Sequence, residues 1–141
     1  MRTLGSVLLP VFSATVWISI SEFVRNEFLL KSYWVEHYNK LGLVFPSEIA
    51  NGAVWGLWSL MFAIVISIIS LKFSKLPTII ISWFAGFVQM WLVIGNMGVL
   101  PYNILIFAVP LSLFEVYIAV VIIKYLSSRA GSDKRSQMWE V

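Results

Sequence analysis

The chain has 141 residues, of which 60% are hydrophobic and 12% charged, with a formal net charge of +3 and a mean hydropathy of +0.87. That length suits one domain, but a soluble domain would carry roughly 25% charged residues, so lipid is the solvent that fits this composition. Cysteine is absent, which excludes disulfides, thiolate catalysis and zinc-thiolate sites.

A helix needs about 20 mostly apolar residues to cross the hydrocarbon core. Four stretches qualify, at about 4–24, 49–71, 77–96 and 102–125. Backbone groups in lipid must be satisfied within their own segment, so these stretches are predicted to be helices. The strand alternation that a closed barrel needs is not present. The expected fold is all-α, an integral membrane four-helix bundle formed by residues 1–127. The first stretch is too long for a signal-peptide core and has no small-x-small cleavage site before Glu22, so it reads as a retained span.

Within 25–48, Leu30, Tyr33, Trp34, Tyr38 and Leu41 recur at helical spacing, while Glu27, Lys31, Glu36 and Lys40 lie largely elsewhere on the wheel. This predicts a short interfacial helix between spans one and two, with its aromatics at headgroup level. Pro46 ends that link. Spans two and three are joined by a tight turn from Lys72 to Pro77. Spans three and four are joined by a short turn from Gly95 to Pro101, whose glycines and proline stop one helix and begin the next. The polar residues 128–141 are expected to form a disordered cytoplasmic tail.

Basic residues set the orientation. Arg2, Lys72, Lys75, Lys124, Arg129, Lys134 and Arg135 fall on one side, against Arg25, Lys31 and Lys40 on the other. This bias places both termini in the cytoplasm, with a bacterial inner membrane as the expected location. The pI near 9.3 has the same origin. Basic residues at helix ends do not make a phosphate-binding patch, so no nucleic-acid partner is expected.

Small and polar residues form a stripe on each span. Thr15, Ser19 and Glu22 share a face of the first. Gly52, Gly56, Ser59, Ala63, Ser67 and Ser70 follow three- and four-residue steps in the second. Ser82, Gln89 and Asn96 recur in the third, near Gly86, and Ala108, Ser112, Glu115 and Ala119 in the fourth. Membrane helices associate through such residues, so the stripes should face one another. At about 1.5 Å per residue, Glu115, Gln89, Ser59 and Thr15 all fall roughly 15–18 Å from the cytoplasmic end, near the bilayer midplane.

Glu115 is the sharpest residue, because an acid at a helix centre costs about 2.5–3.5 kcal/mol on insertion scales. Desolvation disfavours its charged form. It is therefore expected as a neutral carboxyl that donates to Gln89 and accepts from Ser59 or Thr15, with Ser112 on the same stripe. Its functional reading is a proton-exchanging or cation-binding group, and its structural reading is a packing group that sets helix register. Glu22, Glu48, Asn51 and Asn96 form a candidate outer polar cluster, and a solvated end-cap is the simpler role for Glu22. His37 is the sole histidine, and one histidine among scattered acids is a poor ligand set, so neither a metal nor another cofactor is expected. Trp34, Trp55, Trp91 and Tyr102 lie near the outer boundary. They read as an interfacial belt, or alternatively as a groove for lipid or a flat apolar ligand.

No nucleotide loop, activated nucleophile or metal-ligand spacing is present. The most concrete reading is a small proton-coupled transporter or channel subunit. The alternatives are a lipid-binding or accessory subunit of a membrane complex, and a membrane enzyme using outer-face carboxylates. Membrane lipid is the expected partner. Four helices enclose little space, so transport would call for a homo-oligomer or a membrane-complex partner.

Overall fold

The computed structural model describes residues 4–137, and the side chains of residues 7–130. Arg2 and residues 138–141 lie outside that range, as do the side chains of Lys134 and Arg135.

The first span is α1, Leu4–Phe23, and it does not stop where the apolar run meets Arg25. It continues as a wider π-helical turn, Val24–Leu29, closed by the Leu30 amide on the Arg25 carbonyl at 2.9 Å. Arg25 therefore belongs to the span and not to the link, against the sequence expectation. After Leu30 the chain enters α2, Lys31–Lys40, which is the predicted short helix. Lys31 pairs with Glu27 at 2.6 Å and Lys40 with Glu36 at 2.7 Å, both at i,i+4 spacing. Gly42, at φ 71°, reverses the chain in a conformation that a side chain would strain. The Phe45 ring then folds back on α2, stacked on Trp34 at 6.2 Å and edge-on to Tyr38 at 5.5 Å.

The second span is α3, Ile49–Ser70. The third is α4, Lys75–Trp83, and α5, Gln89–Asn96, joined without a break through a π turn at Phe84–Val88. Gly98, at φ 74°, opens the following turn, which is held twice: Tyr102 donates to the Gly95 carbonyl at 3.0 Å, and His37 Nε2 donates to the Gly98 carbonyl at 2.9 Å. His37 thus ties the first link to the last turn. A 3-10 turn, Tyr102–Ile104, leads into α6, Leu105–Gln137. The chain expected as a disordered tail from residue 128 instead remains helical as far as Gln137.

Four helices are long and apolar enough to cross a membrane. Helix α1 packs against α6 and α3, α4 packs against α6 and α3, and α3 also meets α6. Toward the end bearing the termini the interior is closed: Ala14, Ala63, Ile66, Ala119, Val120 and Ile123 are fully buried in one cluster. The alanines let backbones approach where lipid provides no hydrophobic drive. Gly86 serves the same purpose, since a Cβ there would lie 2.5 Å from the Phe62 ring. Lys124 reaches from α6 to the carbonyls of Ser70 and Phe73, at 3.1 and 2.8 Å, and satisfies acceptors that the end of α3 leaves open. Phe12, Ile20, Met61, Ile68, Leu92, Ile106 and Phe114 are exposed around the bundle. A surface of this kind is what hydrocarbon, not water, selects.

Candidate functional site

At the other end of the bundle, which carries the link, the interior is charged. Glu22, Arg25 and Glu115 are 4%, 5% and 0% exposed. Arg25 lies about 6 Å inside the end of its span, at Leu29, at 1.5 Å per residue. Its guanidinium turns into the bundle. One arm donates to Glu22 and the other to Glu115 Oε2, the latter at 3.0 Å. The guanidinium carbon sits over the Phe87 ring, 5.0 Å from its centroid. Phe87 is fully buried and lies in the π turn of the third span, so a π turn occurs on each side of this contact. Such turns shift the helical register by one residue, and they cluster at functional sites.

The remaining contacts fix the carboxylates. Ser21 donates to Glu115 Oε2 at 2.8 Å, and Trp17 Nε1 donates to the Glu115 backbone carbonyl at 3.0 Å. Asn26 Nδ2 donates to Glu22 Oε2 at 2.8 Å, and its own Oδ1 accepts from Trp34 Nε1 at 3.1 Å. The chain of contacts therefore runs from the centre of α6, through α1, to the link helix α2. Glu115 Oε1 is buried and has no hydrogen-bond partner among the described residues. Two carboxylates thus face one guanidinium, and one carboxylate oxygen is unmatched.

These partners differ from the expected ones. Glu115 does turn inward, but Gln89 is exposed and makes no hydrogen bond among the described residues. Ser59 and Thr15 donate instead to carbonyls of their own helices, at Trp55 and Val11, both at 2.9 Å. Ser112 donates to the Val109 carbonyl and accepts from Trp83 Nε1, each at 2.9 Å. A hydroxyl inside a helix satisfies itself on the preceding turn at little cost, which leaves none of these three for Glu115. The partners that Glu115 actually has are Arg25 and Ser21. A signal for Arg25 was present in the sequence: Glu22 and Arg25 are spaced i,i+3, Asn26 is i+4 from Glu22, and Phe28, Leu29 and Leu30 continue the apolar run beyond them. Arg25 reads as a boundary charge only if the span is ended there.

Above the charged group lies a cavity of about 530 Å³, within the size range of small-molecule sites. Glu22, Arg25, Asn26, Glu48, Asn51 and Ser59 line it together with Trp34, Tyr38, Phe45, Trp55 and Trp91. Three members of the expected outer cluster, Glu22, Glu48 and Asn51, therefore share one cavity. Asn96 is exposed and does not line it. Glu22 is not a solvated cap but a buried partner of Arg25. The outer tryptophans also depart from a simple belt, because Trp34, Trp55 and Trp91 form cavity wall.

These features define an integral membrane four-helix bundle with a buried charged site beneath an aromatic cavity. Comparison with protein-family models, with curated proteins and with solved structures finds no match.

Proposed function

We propose that this protein is a small non-enzymatic membrane carrier, in which ligand binding in the cavity is coupled to proton exchange at the Glu22 and Glu115 carboxyls, with Arg25 as their fixed counter-ion. The observation that carries this reading is the unmatched Glu115 Oε1 in a buried group of two carboxylates and one guanidinium. Excess charge in the bilayer interior is costly, and this group reaches neutrality by taking up one cation, in the simplest case a proton. A cationic ligand arriving in the cavity would meet this group at Glu22, which lines it, and replace that proton; a proton would return when the ligand left. Exchange of this kind is the elementary step of proton-coupled transport. Transport also requires the cavity to open toward the termini, where the interior is now closed by Ile66, Val120 and Ile123. A homo-oligomer or membrane-complex partner would supply the surface for that rearrangement.

The proposed orientation has both termini in the cytoplasm, and the proposed location is a bacterial inner membrane. Burial of Arg25 supports this orientation, since it removes a base from the link side and leaves Lys31 and Lys40 there, against Lys72, Lys75, Lys124 and Arg129.

The test is infrared difference spectroscopy across a pH jump on the reconstituted protein, with Glu115→Gln as the comparison. A carboxyl band that exchanges in the native chain and is lost in the variant, together with loss of ligand-driven proton release, is the expected result. A carboxyl that never exchanges would end the coupling proposal. A second reading, a lipid-binding or accessory subunit, is favoured by the closed interior near the termini. It predicts ligand binding without proton release in either form.

A further inference from the structure

We infer that the link-end cavity receives the ammonium group of an amphipathic organic cation, with the attached apolar body lying along the glycine track of α3. This deepens the proposed binding role and rests on it. Four charged side chains line the cavity: Glu22, Arg25, Glu27 and Glu48. Arg25 is consumed, because its two terminal nitrogens serve Glu22 and Glu115 and its plane covers Phe87. Glu27 is matched by Lys31 at 2.6 Å. Glu48 has no ion pair or side-chain hydrogen bond among the described residues, and it does not cap α3, at whose start it sits. The cavity therefore presents an unmatched carboxylate at its rim and an acid-rich charged group at its floor. An anion would meet both and find no available guanidinium.

The walls point to the same class of ligand. Trp34, Tyr38, Phe45, Trp55 and Trp91 line the same cavity, and aromatic faces attract ammonium groups strongly once these are desolvated. The glycines define where an apolar body would lie. Gly52 and Gly56, one helical turn apart on α3, both line the cavity, and a Cβ built on either would meet nothing within 4 Å. Phe23 and Ile49, exposed lining residues on α1 and α3, extend this track toward the surrounding lipid. A polar head thus has aromatic rings and acids, and an apolar tail has a smooth path outward. The ammonium could belong to a lipid headgroup or to a free amphiphile, and the chemistry of recognition is the same for both.

The test uses the full chain in dodecyl maltoside, a nonionic detergent without an ammonium group, with tryptophan fluorescence as the readout because three tryptophans line the cavity. Decyltrimethylammonium should give a saturable change. Decanol and decyl sulfate should bind at least about tenfold more weakly, the scale expected of a desolvated cation among aromatic rings. Glu48→Gln should weaken the ammonium by about tenfold and leave decanol unchanged. Gly56→Leu should remove the saturable change by filling the track, since a Cβ at that position meets nothing within 4 Å. Competition by added phosphatidylethanolamine would assign the ammonium to a lipid headgroup, and its absence would assign it to a free amphiphile. Equal binding of alcohol or sulfate, or ammonium affinity unchanged in Glu48→Gln, would overturn the inference. Ammonium binding without proton exchange at Glu115 would refute the coupling of the previous section alone. Selective binding of an anion with exchange intact would refute this inference alone.

Discussion

The two ends of the bundle use the same kind of stripe for opposite purposes. Near the termini, small residues bring helices together in an apolar cluster, where Ala14, Ala63 and Ala119 lie with Ile66 and Ile123. Near the link, Gly52 and Gly56 face open space, and the helices are bridged by a guanidinium and two carboxylates. A small residue on a membrane helix is thus a licence for proximity, not a guarantee of it. What differs is whether the facing helix offers a side chain that fills the gap, as Phe62 does at Gly86, or leaves it open, as at Gly52 and Gly56.

This contrast can be broken most directly at Arg25. Arg25→Met would leave two carboxylates buried without their counter-ion, and removal of one partner of a buried pair costs about 3–5 kcal/mol. Equilibrium unfolding in mixed micelles should show that loss, and adding Glu22→Gln and Glu115→Gln to the variant should restore most of it. A single variant as stable as the native protein would mean that the charged group is not a closed pair. Where glycine meets a filled contact, Gly86→Ala should destabilise by about 1–3 kcal/mol through overpacking against Phe62, whereas Gly56→Ala, facing open space, should be nearly neutral in the same assay. Equal effects at the two glycines would erase the distinction between a filled and an open glycine contact. Lys124→Met should cost about 1 kcal/mol by leaving the carbonyls of Ser70 and Phe73 without their donor, with faster amide exchange confined to the end of α3. The smallest effect lies outside the bundle. The Glu36 carboxyl is held below the ordinary range, chiefly by its hydrogen bond from Lys40 and also by the charge of that lysine. A lowered value means that any stability this pair adds is present near neutrality and is lost as pH falls through the Glu36 titration. Lys40→Met should move that titration upward in carbon NMR. It should leave the unfolding midpoint unchanged at neutral pH, because an exposed pair is screened by water.

Particular residues show how far the sequence could be read. The second span is predicted at 49–71 and observed at Ile49–Ser70, because its ends are marked by an abrupt change from apolar to polar. The link helix, predicted from the spacing of Tyr33, Trp34 and Tyr38, is found at Lys31–Lys40 for the same reason of local periodicity. Glu115 is recognisable as an interior group because an acid at that depth cannot face lipid without large cost. Its partners are a different matter. Counting residues inward places Gln89 and Glu115 at one depth, but depth does not state which way a side chain points. The π turn at Phe84–Val88 rotates the helix beyond it, and Gln89, the first residue after that turn, lies on the exposed face.

The sequence alone determined the solvent, the number of crossings and the presence of a link helix, since each follows from the composition and periodicity of one contiguous stretch. Only the tertiary structure decided that Arg25 is an interior residue, that it joins Glu22 to Glu115, and that a cavity lies above them. The physical reason is that an inward-turning cation is tolerable in lipid only when its counter-ions are in place, and one of them, Glu115, comes from another helix. That condition links residues 90 positions apart in the chain.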